Sequence, residues 1–379
     1  MLPQLSQQLL TQWSHLPIVR RRPDRLSFLG VRTGVGDGYA LFLTFADRDR
    51  APCLAVKIPR ERVAALRLQH EWSMLNHFHR HVPRGVAASL PRPILWKAIN
   101  GTRVLVTTAP SGQPMRVCAS SFAEHFARVG DWLVQLACAT RATRPAEAMR
   151  RGVGCTAERL GTVFDLSGQE MAVVEDWIAQ GLAISGDGKV ELFAAHGNFH
   201  HRSIWLYKGR MTVVNWEQSR LACLPLQDIF AFITTYRFPA VRRSSKEGYL
   251  RAFRETYLTD APYADVVSWS IARYCEALGI PLEGVEACLG IFLAYAALRE
   301  YDQLQKAADR GYLPLLSASD LSARGPYRQA IKDQVWINLL RLLVKERTQF
   351  KPASHLGAWE RFRPFKLERS LLEGGQWPW

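Results

Sequence analysis

The residues best suited to chemistry lie in one stretch, His196 to Glu217, HGNFHHRSIWLYKGRMTVVNWE. It begins with a polar, turn-prone cluster: His196, Gly197, Asn198, His200, His201, Arg202 and Ser203. An apolar run, Ile204 to Tyr207, a Lys208-Gly209 turn and a second run, Met211 to Val214, then deliver Asn215-Trp216-Glu217. Two short apolar runs about a tight glycine turn predict a hairpin. Strand ends and loops are where a scaffold presents working side chains. The types present are those of an active site without its acids: amides at 198 and 215, a hydroxyl at 203, and Glu217 as the one carboxylate. An amide cannot act as a base near neutral pH. The three histidines raise the alternative of a transition-metal site. His200 and His201 are adjacent, however, and no acidic or cysteine ligand accompanies them, which favours structural roles.

A second chemical feature is Lys57, a charge inside the apolar run Leu54-Ala-Val-Lys57-Ile58. A buried lysine is costly unless paired, and Glu71, on the helix that follows, is the expected partner. The alternatives are an edge-strand lysine facing water and a glutamate on a solvated helix face. Ahead of Lys57 lies a glycine-rich turn, Val31 to Gly38, with Gly34, Gly36 and Gly38.

The elements that must position these residues follow from patterning. Residues 1–25 are a lead-in helix and basic turn, and 26–59 are strand-like. A helix is predicted over 60–79, with Leu66, Trp72, Leu75 and Phe78 as its apolar stripe. Ile94 to Ile99 and Arg103 to Thr108 form a hairpin about Asn100-Gly101. Ala109 to Gly112 breaks the pattern and marks a hinge. Beyond it, Ser121 to Thr143 is a strong amphipathic helix, 144–154 a basic connection, and 156–162 and 169–182 one helix or two. Asp228 sits near the start of a helix containing Ile229, Phe230 and Phe232, where an acid suits the N-terminus. Residues 246–345 are mostly amphipathic helix. The division is a lead-in (1–25), a β-rich lobe (26–109), a helical lobe (110–350) and a polar tail (351–379), an α+β chain of two lobes.

At 379 residues the chain is long enough for two sizeable cores, and 48% hydrophobic with 22% charged residues is a globular balance. The net charge of +15 favours anionic partners: nucleic acid, phosphorylated or acidic sugars, or an anionic membrane face. The alternative is a generally Arg-rich composition. The arginine clusters are short and dispersed, and no nucleic-acid motif occurs at a recognisable spacing. Seven cysteines, an odd number with no C-x-x-C pair, argue against a disulfide framework or zinc site and fit a reducing cytoplasm. The first residues lack the charged start and long apolar region of a signal peptide. The longest charge-free apolar run, Cys288 to Leu298, is too short for a transmembrane segment.

The order of these features, from about Gly30 to Phe232, resembles the protein-kinase-like fold, and within it the aminoglycoside phosphotransferase and choline kinase branch. That branch has a catalytic loop of roughly H-G-D-x-x-x-x-N and a metal-binding hairpin end of roughly I-D-W/F-E. Here the matching text is His196-Gly197-Asn198, then Ser203, and Val214-Asn215-Trp216-Glu217. The resemblance implies a bilobal fold and ATP as cofactor. Gly34, Gly36 and Gly38 would then lie over the phosphates, Lys57 contact them and Glu71 orient it. Thr107, Thr108 and Ala109 would line the adenine pocket, and Asp228 would brace the catalytic loop. His196 would be structural. His201 and Arg202 would place positive charge where an acceptor or γ-phosphate sits.

The departures fall where the chemistry is. The base position is Asn198, and losing a general base typically costs about 10²–10⁴ in rate. The metal positions are Ser203 and Asn215, whereas Mg²⁺ prefers anionic oxygens, so the Mg site is poor. The expectation is a pseudoenzyme of phosphotransferase family, binding nucleotide weakly or serving as a scaffold for a protein partner. The alternatives are an active ATP-dependent phosphotransferase that uses Glu217 and acts on a hydroxyl of an anionic or sugar-type acceptor, and a basic binding protein for nucleic acid or membrane.

Overall fold

Residues 26–59 and 93–108 are strand-like, and successive side chains along a strand point to opposite faces of its sheet. The structure, a computed structural model, describes residues 1–16, 21–31, 38–118, 120–184, 188–240, 245–259, 262–309 and 334–350. Its first sheet contains β1 (Leu26–Val31), β2 (Tyr39–Ala46), β3 (Leu54–Pro59), β4 (Pro93–Ile99) and β5 (Thr102–Thr108), in the order β1-β2-β3-β5-β4. Asn100 and Gly101, which join β4 to β5, have φ of 50° and 78°, the left-handed pair that a two-residue hairpin turn needs.

The register sorts the side chains by face. Leu41 pairs with Lys57 and Lys57 with Leu105; Leu43 pairs with Ala55 and Ala55 with Thr107. These residues share one face. Phe42, Val56 and Val106 share the other, where α1 (Leu2–Gln12) and the turn after it bury Leu5, Leu9 and Trp13. The segment expected as a lead-in thus completes the core of the first lobe.

Helix α2 (Arg62–His81) packs along the first face, burying Ala64, Leu68, Glu71, Leu75 and Phe78 at intervals of three or four residues. Leu66, expected on this stripe, is instead 58% exposed. It follows Ala64 by two positions, over half a turn around the helix, and so faces away.

The short α3 (Arg84–Ala88) precedes β4, and after β5 the short β6 (Gln113–Pro114) leads toward α4 (Phe122–Thr140). The basic connection expected over 144–154 is a strand end and a helix: β7 (Ala142–Pro145), then α5 (Ala146–Phe164). Ala146, Glu147, Ala148, Met149 and Arg150 are all good helix formers, and basic charge does not oppose a helix. Helix α6 (Gly168–Ala183) starts at a capping box in which Ser167 and Glu170 satisfy each other's backbone N–H groups. Next come β8 (Lys189–Ala195), β9 (Ile204–Tyr207), β10 (Arg210–Val213) and β11 (Arg220–Cys223), then α7 (Gln227–Tyr236), α8 (Lys246–Tyr257), α9 (Pro262–Leu278), α10 (Val285–Asp309) and α11 (Val335–Glu346). The expected hairpin is β9-β10, with Lys208 and Gly209 at φ of 45° and 78°.

The main hydrophobic core runs through α4, α7, α9, α10 and α11 and continues into Met74, Leu75 and Phe78 of α2. The chain therefore adopts the expected α+β arrangement, a β-sheet lobe followed by a helical lobe. Among the described residues, no helix is long and apolar enough to cross a membrane. Gly34, Gly36 and the tail 351–379 lie outside the described residues.

Candidate functional site

Lys57 lies on β3, an interior strand of the sheet, and is 6% exposed; Glu71 is 2% exposed. Neither faces water. Lys57 Nζ donates to both carboxylate oxygens of Glu71, at 2.9 and 2.8 Å. It also donates to Asn215 Oδ1 at 3.2 Å and lies 3.7 Å from Glu217 Oε2. Burial alone would lower the lysine pKa. The charges of Glu71 and Glu217 outweigh it, so the ammonium titrates above its ordinary range, while burial pushes the Glu71 carboxyl up and the Lys57 charge opposes that rise. The Trp216 N–H closes the network on Glu71 Oε1 at 3.4 Å. One ammonium thus ties the sheet and α2 to the segment after β10.

The loop from His196 to Ser203 joins β8 to β9 and is held by Asp228 at the start of α7. The Asp228 carboxylate accepts the N–H of His196 at 2.5 Å and of Gly197 at 3.0 Å. His196 is fully buried, and burial pushes its pKa down. A neutral ring suits its partners: Nε2 donates to the Val214 carbonyl at 2.8 Å, and Nδ1 accepts the Asn198 N–H at 3.3 Å. Gly197 has φ of 78°, and a Cβ there would collide with the Gln218 carbonyl, so the position requires glycine. Asn215 has φ of 70°. Asparagine is among the few side-chain-bearing residues that adopt this conformation readily, so the amide keeps the shape of the hairpin end while contributing no charge.

Asn198 and Ser203 sit within the same loop. The Ser203 hydroxyl is fully buried and turned toward the Asn198 carbonyl at 3.4 Å. His200 and His201 each have a buried Nδ1 without a hydrogen-bond partner. Burial lowers both rings to about 4, His200 with the added repulsion of His196, His201, Arg202 and Arg299, and His201 with that of Arg202. Both are neutral at pH 7. Gly38, at φ of 67°, accepts the Arg60 N–H at 2.9 Å and so anchors the end of the glycine turn. Thr108, the last residue of β5, donates its N–H to Arg92 O at 2.9 Å, and Ala109 after it donates to Cys53 O at 3.1 Å, so both amides are committed within the chain. Thr107 lies on β5 beside Ala55, on the Lys57 face.

These donors do not fit Mg²⁺. The Asn215 oxygen is engaged by Lys57, the Ser203 hydroxyl is buried against a carbonyl, Asn198 has no carboxylate, and Glu217 Oε2 faces an ammonium. A hard divalent cation needs several anionic or open oxygens at one point.

Several contributors were not legible locally. Arg299 of α10 donates through Nη1 to the Gly197 carbonyl and reaches Gln218 Oε1 at 3.5 Å. The His70 ring donates to the Ser219 carbonyl at 2.7 Å. Ser89 accepts Trp132 Nε1–H at 2.7 Å through its hydroxyl and the Val213 N–H at 2.8 Å through its carbonyl. Leu29 and Val31 of β1 are 56% and 36% exposed, and their pairing with Leu43 and Leu41 puts them on the Lys57 face. The alternation of β1 and β2 was the available signal for this apolar surface.

No protein-family model and no curated protein matches the chain. Solved structures are similar in outline. A macrolide 2'-phosphotransferase from Brachybacterium faecium shares 16% identity over 80% of this chain and 97% of that one, with a TM-score of 0.43. A choline kinase from Cryptosporidium parvum shares 10% over 85% and 91%, with a TM-score of 0.47. An ADP-bound aminoglycoside phosphotransferase shares 12% over 86% and 95%, also at 0.47. At identities and TM-scores this low, none of these likenesses bears on what the chain does.

Proposed function

We propose that the chain is a phosphotransferase-like pseudoenzyme that holds a nucleotide in its cleft without a divalent metal and transfers no phosphoryl group. The observation that carries this reading is the charge inventory around Lys57. The lysine keeps its paired, buried geometry with Glu71, while the positions that would hold metal and base carry Asn198, Ser203 and Asn215. Phosphoryl transfer depends on positioning and on neutralising charge. With two amides in place of carboxylates, the cleft supplies no metal-borne neutralisation. It also no longer repels a polyphosphate when metal is absent. The apolar surface of Leu29, Val31, Leu41 and Leu43 is suited to cover a purine ring.

Calorimetric titration with ATP in Mg²⁺ and in EDTA, with ADP release followed in parallel, tests this. The expected result is the same affinity in both buffers and no ADP above the rate in buffer alone. Mg²⁺-dependent binding with turnover would overturn it.

One observation favours a second reading, an active phosphotransferase. Glu217 Oε2 is buried and has no hydrogen-bond partner, leaving a carboxylate oxygen with unused acceptor capacity beside Lys57. That reading requires ATP consumption dependent on an anionic or sugar-type acceptor and abolished in Lys57→Ala.

A further inference from the structure

Away from the Lys57 network, two side chains of metal-ligating type stand together on the surface. Helix α2 ends in the run His77-Phe-His79-Arg-His81. Residues four apart on a helix share one face, which makes His77 and His81 neighbours. Their rings stack, with centroids 4.3 Å apart and planes 26° from parallel. His81 is exposed and His77 half-buried, so both can be reached from solvent. His79 is engaged elsewhere, with Nε2 at 3.1 Å from the Pro91 carbonyl.

The hydrogen bonding of the pair suits a ligand set. His81 Nδ1 lies 2.8 Å from the His77 carbonyl. A carbonyl only accepts, so this nitrogen carries the proton, and the neutral ring keeps its lone pair on Nε2. A ring N–H given to a backbone carbonyl is the contact that fixes the tautomer and orientation of metal-ligating histidines. Among the described residues no hydrogen-bond partner engages Nε2 of His81 or either ring nitrogen of His77. Burial, with the added repulsion of His81, holds the His77 pKa below its ordinary value, so that ring too is neutral at pH 7. An ion with nitrogen ligands at about 2.0–2.1 Å holds two of them roughly 3–3.4 Å apart. Rings stacked at 4.3 Å reach that separation by tilting toward each other. His81 is the last residue of α2, where the helix dipole favours a cation. Arg80, on the same turn, is exposed, and water and salt screen its charge.

We propose that His77 and His81 form a surface chelate for a late first-row divalent transition-metal ion. Imidazole suits Ni²⁺, Cu²⁺ and Zn²⁺, whereas Mg²⁺ prefers oxygen. Two histidines four positions apart on one helix face are also the ligand pair of the zinc helix motif H-E-x-x-H. Here Phe78 stands where that motif has its glutamate base, so the pair binds an ion without a general base beside it. Among the described residues no third histidine, cysteine or carboxylate joins the pair. Water therefore fills the remaining positions, and binding is reversible, unlike that of a closed four-ligand site. His81 is ten residues, or about 15 Å, along α2 from Glu71, so the ion sits apart from the Lys57 network.

The experiment titrates the whole chain with Ni²⁺ by calorimetry, with Mg²⁺ as the control. Ni²⁺ is the probe because thiolates favour softer ions, and Cys118, Cys138 and Cys155 are exposed. The expected result is Ni²⁺ binding that weakens as pH falls through about 6.5. It should also weaken roughly tenfold or more in His77→Asn and in His81→Asn. A His15→Asn, His70→Asn double variant, altered at two other exposed histidines, should bind as the wild type does. Melting in EDTA reports whether each variant is folded, and in Ni²⁺ only the two chelate variants should lose the wild type's upward shift. Absence of Ni²⁺ binding by the wild type, undiminished binding by both single variants, or an equal loss in the control variant overturns the proposal. None of these outcomes touches the nucleotide reading, which is decided by ATP binding and turnover.

Discussion

The sheet side and the loop side of the Lys57 site differ in charge. On the sheet side, Lys57 and Glu71 form a buried, bidentate ion pair between β3 and α2. On the loop side, Asn198, Ser203 and Asn215 stand in a hairpin whose turns, glycine and bracing aspartate are all in place, with no charge at the three positions. The comparison teaches that shape and charge are separable here. Asn215 keeps a left-handed backbone, and Gly197 its close approach to Gln218, whether or not a metal is ever bound.

The largest test of that contrast is to break the retained side. Lys57→Ala leaves Glu71 buried and unpaired, and is expected to cost about 3–5 kcal/mol in urea unfolding. Replacing both partners, as Lys57→Met with Glu71→Leu, should cost far less. Equal losses would mean that the pair is not what holds β3 to α2. Next is the brace on the neutral side. Asp228→Ala orphans the N–H groups of His196 and Gly197, at about 1–3 kcal/mol each, whereas Asp228→Asn keeps an acceptor oxygen and should cost less. If Asp228→Ala melts like the wild type, the loop does not depend on α7.

A third test tries to erase the contrast. Asn198→Asp with Asn215→Asp should turn a metal-indifferent nucleotide affinity into one that rises about tenfold or more with Mg²⁺, since the new carboxylates attract the ion even at a high effective dielectric. No response to Mg²⁺ would show that the loop's shape has drifted as well as its charge. The smallest effect is on pH. His200 and His201 titrate at about 4 in the folded chain, below free histidine. As pH falls past about 6.5, the unfolded chain takes up these protons first. Stability is therefore full above that pH and declines as it falls toward 4. His200→Asn with His201→Asn should flatten the decline in a melting series across that window.

What could be read beforehand follows from where each signal resides. Lys57 and Glu71 were legible because a charge inside an apolar strand demands a partner. Asn100-Gly101 and Lys208-Gly209 were legible because tight hairpins need residues that tolerate positive φ. Leu66 misled because it is a large apolar residue in the helix, yet nine residues before Leu75 is two and a half turns, which puts it on the opposite face from the buried stripe. Strand β8 forms through pairing with β7 and β11, and a pairing partner is not written in a strand's own residues. Arg299 was out of reach for the same reason. It meets Gly197 from 102 residues away, and nothing in the apolar text of α10 marks that one residue as facing a loop.

The rings around Trp216 have a consequence for how the molecule comes apart. Trp216 is fully buried, with its centroid 4.9 Å from Phe78 of α2, 4.8 Å from His196 and 6.2 Å from Trp132 of α4. Trp132 in turn stacks on Phe199 at 5.5 Å. This column makes α2 part of the helical lobe's core. The described lobes are therefore coupled as one cooperative unit. Heating should give a single calorimetric transition, with tryptophan emission and helix content lost together. The Lys57 site, so regarded, belongs to the margin of one folding unit rather than to a joint between two.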